Sequence, residues 1–118
     1  MTRPAARLSY DKIAERVGEI LHYVWDPIGV TGVPQARDEY DSYVPLVVKM
    51  LIDGRKKEEI AEHLSGIEGG HMGLTVSAKS REHAVKVAEA LIDHYDWIKE
   101  RGRTLSVLLR RSAQRDAG

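Results

Sequence analysis

Residues 44–52 read VPLVVKMLI, and the fold class turns on how that run is read. Its three valines, isoleucine and absence of acids suit a buried β-strand as well as a buried helix. Extending the window separates the two. Tyr40, Tyr43 or Val44, Val47 and Leu51 recur at steps of three and four, which is the helical period rather than the alternation of a strand. The run is therefore read as the body of a helix from about Arg37 to Asp53, apolar nearly all round and so central. Gly54 stands where a left-handed residue would end it. Pro45 leaves two starts open: a helix beginning near Ser42 with the proline in its first turn, or one beginning near Arg37 and kinked.

Working outward, the same period recurs on both sides. Ser9 is the expected N-cap of a first helix carrying Ile13, Val17, Ile20, Leu21 and Val24 on one face. Pro27 disfavours the helical conformation of Asp26, so the helix should stop there. A third helix is predicted from about Lys56 to Ile67, with Ile60, Leu64 and Ile67 inward and RKKEE solvated. The glycines of SGIEGGHMGL then mark a loop, with Met72 and Leu74 turned to the core. A fourth helix capped by Ser80 carries Ala84, Val87, Ala88, Leu91, Ile92, Tyr95 and Ile98, ending at Gly102. Leu105, Leu108 and Leu109 give a brief amphipathic helix after it. The expectation is an all-α fold, a small four-helix bundle with a short C-terminal amphipathic helix. It forms one domain over residues 1–118, with residues 1–7 and 113–118 frayed.

Composition narrows the function classes. The chain has 118 residues, no cysteine, no phenylalanine, and 18 basic against 18 acidic residues. Disulfides and cysteine-ligated metals are excluded. Zero net charge argues against a dedicated nucleic-acid binder, whose affinity comes largely from phosphate neutralisation. No apolar run is long enough to span a membrane, and the opening residues do not resemble a signal peptide, so a cytoplasmic setting is expected. The charge is nonetheless segregated. Residues 101–118 hold five arginines (101, 103, 110, 111 and 115) against Asp116 alone, whereas acids gather at Asp26, Asp38, Glu39 and Asp41.

The familiar catalytic patterns are absent. Five scattered histidines include no H-E-x-x-H and no pair three or four apart, so no metal and no cofactor is expected. Glu59 and His63 share a helical face, and His94 lies between Asp93 and Asp96, but each would need ligands from elsewhere. The glycine cluster lacks the G-K-[ST] ending of a phosphate loop. The 68–79 gap is too long for a helix-turn-helix. Serines 42, 65 and 77 have no nucleophile-elbow context.

What remains is the connection WDPIGVTGVPQARDEYDSY, residues 25–43. Its first half reads as a structural corner: Trp25, Asp26, Pro27 and Gly29, with Trp25, Ile28 and Val30 plugging the base of the bundle. Asp26 would accept backbone N–H groups of the loop or pair with Arg37. Its second half, Arg37, Asp38, Glu39, Tyr40, Asp41 and Tyr43, sets acids beside aromatics as protein-recognition surfaces do. Tyr40 also suits the core.

VWDPIGV, EYDSYVPLV, EEIAEHL and MGL together resemble a family of small bacterial helical proteins catalogued as a domain of unknown function. The resemblance covers about Leu21 to Leu74. It implies a compact helical fold in a bacterial cytoplasm and transfers no activity.

The expected function is thus a non-enzymatic interaction module, of immunity, inhibitor or adaptor type. Its partner would be another protein of basic character, met at the start of the second helix. The alternative is a small-ligand or metal-binding protein or enzyme with a carboxylate pocket around Asp26, Glu39 and Asp41. A homodimer through the second helix or the tail is also compatible, whereas membrane and nucleic-acid partners are not expected.

Overall fold

The computed structural model describes the backbone of residues 4–29 and 39–117, and the side chains of residues 10–29, 39–102 and 108. Among these residues there is no strand; the architecture is the all-α small bundle that the periodicities imply. Helix α1 spans Pro4–Ile20, α2 Val44–Ile52, α3 Lys57–Gly66 and α4 Ala78–Ala117. Ser9 is therefore inside α1 rather than at its cap. The backbone turns helical at Pro4, a residue whose fixed φ suits a first turn.

The core is an aliphatic seam. Ile13, Val17, Ile20 and Leu21 of the first helix meet Val47, Val48 and Leu51 of α2, Ile60 and Leu64 of α3, and Ala84, Val87, Ala88 and Leu91 of α4. Each fully buried Leu, Ile or Val contributes about 1.5–3 kcal/mol relative to exposure. Helices α1 and α4 run antiparallel. The far end of α1 meets the start of α4, where the His83 Nε2–H donates to the Val24 carbonyl at 2.8 Å. The middle of α1, Ile13 to Ile20, lies along Leu91 to Ile98.

Two of the helices end in wide turns that hydrophobic spacing did not anticipate. Residues Leu21–Trp25 continue α1 as a π turn, closed by the Asp26 N–H donating to the Leu21 carbonyl at 3.0 Å. Widening the turn reduces the rotation per residue, which swings Trp25 into the core and Val24 out. Trp25 is 2 % exposed and Val24 45 %, the reverse of a regular helix. Likewise α3 does not stop at Ile67. A second π turn, Ile67–His71, carries the chain through Gly69 and Gly70, with the Met72 N–H on the Ile67 carbonyl. So most of the expected glycine loop is helical. A side chain at Gly69 would have its Cβ 3.2 Å from Val76, so the missing side chain lets the following segment lie close. Met72 packs against the core, while Leu74 is only half-buried.

The second helix settles the proline question. Asp41–Tyr43 form a single 3₁₀ turn and α2 begins at Val44, with Pro45 in its first turn where no N–H partner is lost. It ends as the sequence predicts. Gly54 has φ 73°, and its N–H and that of Arg55 close on the Leu51 and Met50 carbonyls. The helix is not central, however. Leu46 and Ile52 are each 50 % exposed, because α2 lies at the edge of the bundle and buries one face only.

Helix α4 departs most from expectation. Its cap is Ser77, not Ser80. The Ser80 N–H donates to the Ser77 hydroxyl oxygen, and the Ser77 N–H donates to the Ser80 hydroxyl oxygen. Nor does Gly102 end it. The helix continues unbroken for 40 residues, so the expected short C-terminal helix is the last part of α4. A glycine stops a helix only when the chain after it gains by turning, and RTLSVLL is itself a good helix former. The molecule is elongated as a result, with a long axis of 64 Å and a radius of gyration of 17.4 Å. A compact chain of this length would have roughly 13–14 Å.

Candidate functional site

The structure separates the described residues of the 25–43 connection into two places. The first is a buried corner. The Trp25 indole Nε1–H donates to Glu68 Oε2 at 3.0 Å, tying the end of α1 to the π turn after α3. Glu68 is itself only 6 % exposed, so this bond holds a buried carboxylate. Tyr40 lies alongside, its ring centroid 5.4 Å from that of Trp25, and Tyr43 stands edge-on at 6.0 Å. The Tyr40 hydroxyl donates to Asp26 Oδ1 at 2.8 Å and accepts the Ile28 N–H at 3.2 Å. Burial, then the bond to Asp26, pushes the Tyr40 phenol above its ordinary pKa of 10.0. Asp26 sits in the left-handed region at φ 33°, a conformation that short polar side chains tolerate best. Gly29 completes the turn, its N–H reaching the Asp26 carbonyl.

Of the expected corner residues, Trp25, Asp26, Pro27 and Gly29 are thus together. Tyr40 is one partner of Asp26 in the structure; loop residues 30–38, which the sequence also offers it and which include Arg37, lie outside the described residues. Ile28 does not plug the bundle: it is 40 % exposed. Val30 lies outside the described residues.

The second place is an open groove of about 530 Å³ between α1 and the start of α2. Ala14, Gly18, Val44 and Pro45 line it together with His22, and Tyr10 and Tyr23 are its first and last lining residues along the first helix. Glu15, Glu19 and Asp41 lie along it, and among the described lining residues there is no lysine or arginine. Tyr10 is 46 % and Tyr23 55 % exposed. Glu19 pairs with Arg16, outside the groove, at 3.5 Å, an exposed pair of little energetic weight.

The expected recognition cluster is therefore redistributed. Tyr40 is core, at 2 % exposure. Glu39 and Asp41 are exposed, Tyr43 is half-buried against the core, and Arg37 and Asp38 lie outside the described residues. Of the alternative carboxylate pocket, only Asp41 lines the groove; Asp26 is engaged by Tyr40, and Glu39 is not among the lining residues. Among the described residues no three His, Asp or Glu side chains come close enough to hold a metal ion. Glu59 serves α3 itself, accepting the Lys56 N–H at its first turn, and pairs with Arg55. Burial, and then the charge of His71, hold His63 below the usual histidine pKa. Among the described residues no helix is long and apolar enough to cross a membrane.

Sequence reasoning missed Tyr10, Glu15, Glu19 and Tyr23. A signal existed: Tyr10, Ala14, Gly18 and His22 repeat every four residues along a second face of α1. That face becomes a groove only because α2 crosses it, which spacing within α1 does not show. No known protein family matches the chain, and neither a curated protein nor a solved structure is significantly similar to it.

Proposed function

We propose that the protein is a non-enzymatic interaction module that receives a basic segment of a partner protein in the groove between α1 and α2. The observation that carries this reading is the pairing of two exposed tyrosines with three carboxylates around an open apolar floor. Tyrosine supplies large contact area at little entropic cost, and the carboxylates select arginine or lysine over acidic competitors. The resemblance to a bacterial family of unknown function is compatible with this role and adds no chemistry to it. An immunity, inhibitor or adaptor role would each use such a groove.

The test is a binding titration with a fluorescent helical peptide carrying arginine at every fourth position, beside a glutamate-bearing control. The arginine peptide should bind and the control should not. Replacing Glu15 and Glu19 by Gln and Asp41 by Asn should weaken binding tenfold or more, about 1.4 kcal/mol, with helicity unchanged. Equal affinity for both peptides, or no effect of the three replacements, would remove the proposal.

A further inference from the structure

Resting on that reading of the groove, we propose that its occupant is a second copy of this chain. In this arrangement residues 108–117 of α4 from each copy lie in the α1–α2 groove of the other, closing a two-fold dimer.

The first support is charge. The groove carries Glu15, Glu19 and Asp41. The end of α4 carries Arg110, Arg111 and Arg115 against Asp116. These two clusters have opposite sign and lie at separate places of a chain with zero net charge, which makes one copy complementary to another. The spacings also agree, since Glu15 and Glu19 are four apart on one helix and Arg111 and Arg115 are four apart on the other.

The second support is length and direction. Ile13 and Ile98 line the same antiparallel seam. Counting nine residues back from Ile13, Pro4 falls level with about residue 107 of α4 at equal rise per residue. Residues 108–117 therefore run past the start of α1, and Leu108 is 54 % exposed there. That arm is roughly 15 Å long, and the groove from Tyr10 to Tyr23 is roughly 20 Å, at 1.5 Å per helical residue. An unbroken helix cannot fold its own arm back onto α1, so the occupant must come from another molecule.

The third support is symmetry. A two-fold axis across α4 near residue 104 sets the two α4 helices antiparallel and, at equal rise per residue, brings Arg111 and Arg115 level with Glu15 and Glu19 of the other copy. Because α1 is antiparallel to its own α4, each arm then runs parallel to the α1 of the other copy, along the groove. Both contacts form together, and the assembly closes without free ends.

The experiment is charge exchange followed by sedimentation, using the full chain. One variant carries Glu15→Lys, Glu19→Lys and Asp41→Lys; the other carries Arg110→Glu, Arg111→Glu and Arg115→Glu. Wild type should be a dimer that weakens with added salt. Each variant alone should dissociate at least tenfold more readily, because both of its contacts become repulsive. An equimolar mixture should return to dimer, because both contacts become attractive again; unfolding of either variant cannot produce that rescue. A wild-type monomer at high micromolar concentration, a dimer insensitive to both sets, or an assembly that keeps growing with concentration would each overturn the proposal. A wild-type monomer that still binds the arginine peptide in its groove would defeat this inference alone. A monomer that binds no such peptide would defeat the proposed function as well.

Discussion

The buried corner and the open groove are built from the same residue types and do opposite things with them. Both set tyrosines beside carboxylates, and neighbours in sequence are divided between them: Tyr40 enters the corner and Asp41 borders the groove. In the corner each carboxylate receives a direct hydrogen bond from an aromatic side chain, Trp25 to Glu68 and Tyr40 to Asp26. The first bond is buried and the second partly so, and removing a donor leaves an acceptor to bear its desolvation cost. Around the groove the acids face solvent, where a charge contributes little to folding and remains available to a ligand. An acid beside an aromatic thus serves structure where the pair is buried, and on the proposed function it serves recognition where the pair is exposed.

The strongest way to break the comparison is Trp25→Ala. It removes a buried ring and the donor to Glu68, and should cost about 3–5 kcal/mol in denaturant unfolding, as large-to-small core changes do. A loss below 1 kcal/mol would mean the corner is not a core element. Tyr40→Phe keeps the ring and removes only the hydroxyl, so the expected loss is about 1–3 kcal/mol, the range for an acceptor left without its donor. On the groove side, Gly18→Ala should stabilise by about 0.5–1 kcal/mol through helix propensity. Its new Cβ would meet Val44 at an ordinary 3.8 Å. Destabilisation by Gly18→Ala would show that the floor is tighter than the geometry indicates. Smallest of all, neutralising Glu15, Glu19 and Asp41 together should leave stability within about 0.5 kcal/mol per site, the ordinary range for exposed positions.

The difference between the two regions also marks how far the residues alone could be read. The core was legible because Ile13, Val17, Ile60, Leu64, Ala84, Val87 and Leu91 repeat at a period only a helix supports. The end of α2 was legible because Gly54 has one efficient conformation for that position. Helix α1 was misjudged at its far end, where a π turn exchanges Val24 for Trp25 and no pattern of side chains announces a change of winding. Helix α4 was cut short at Gly102 because a glycine is compatible with stopping a helix and with continuing it. Tyr40 was legible as either core or surface; the choice between them is tertiary, made by Trp25 and Asp26 converging on it. The groove was invisible for the same reason, since its two walls are distant in sequence.

Nuclear magnetic resonance separates the proposed recognition role of the exposed acid–aromatic pairs from the structural role of the buried ones. The ¹⁵N-labelled protein carrying Arg110→Glu, Arg111→Glu and Arg115→Glu, in which no second copy competes for the groove, would be titrated with the arginine-bearing helical peptide. The Gly18, Tyr23, Asp41 and Val44 amide signals should shift progressively, while the Trp25 indole N–H signal stays in place. Movement of the Trp25 indole with the groove signals unchanged would contradict that division of roles.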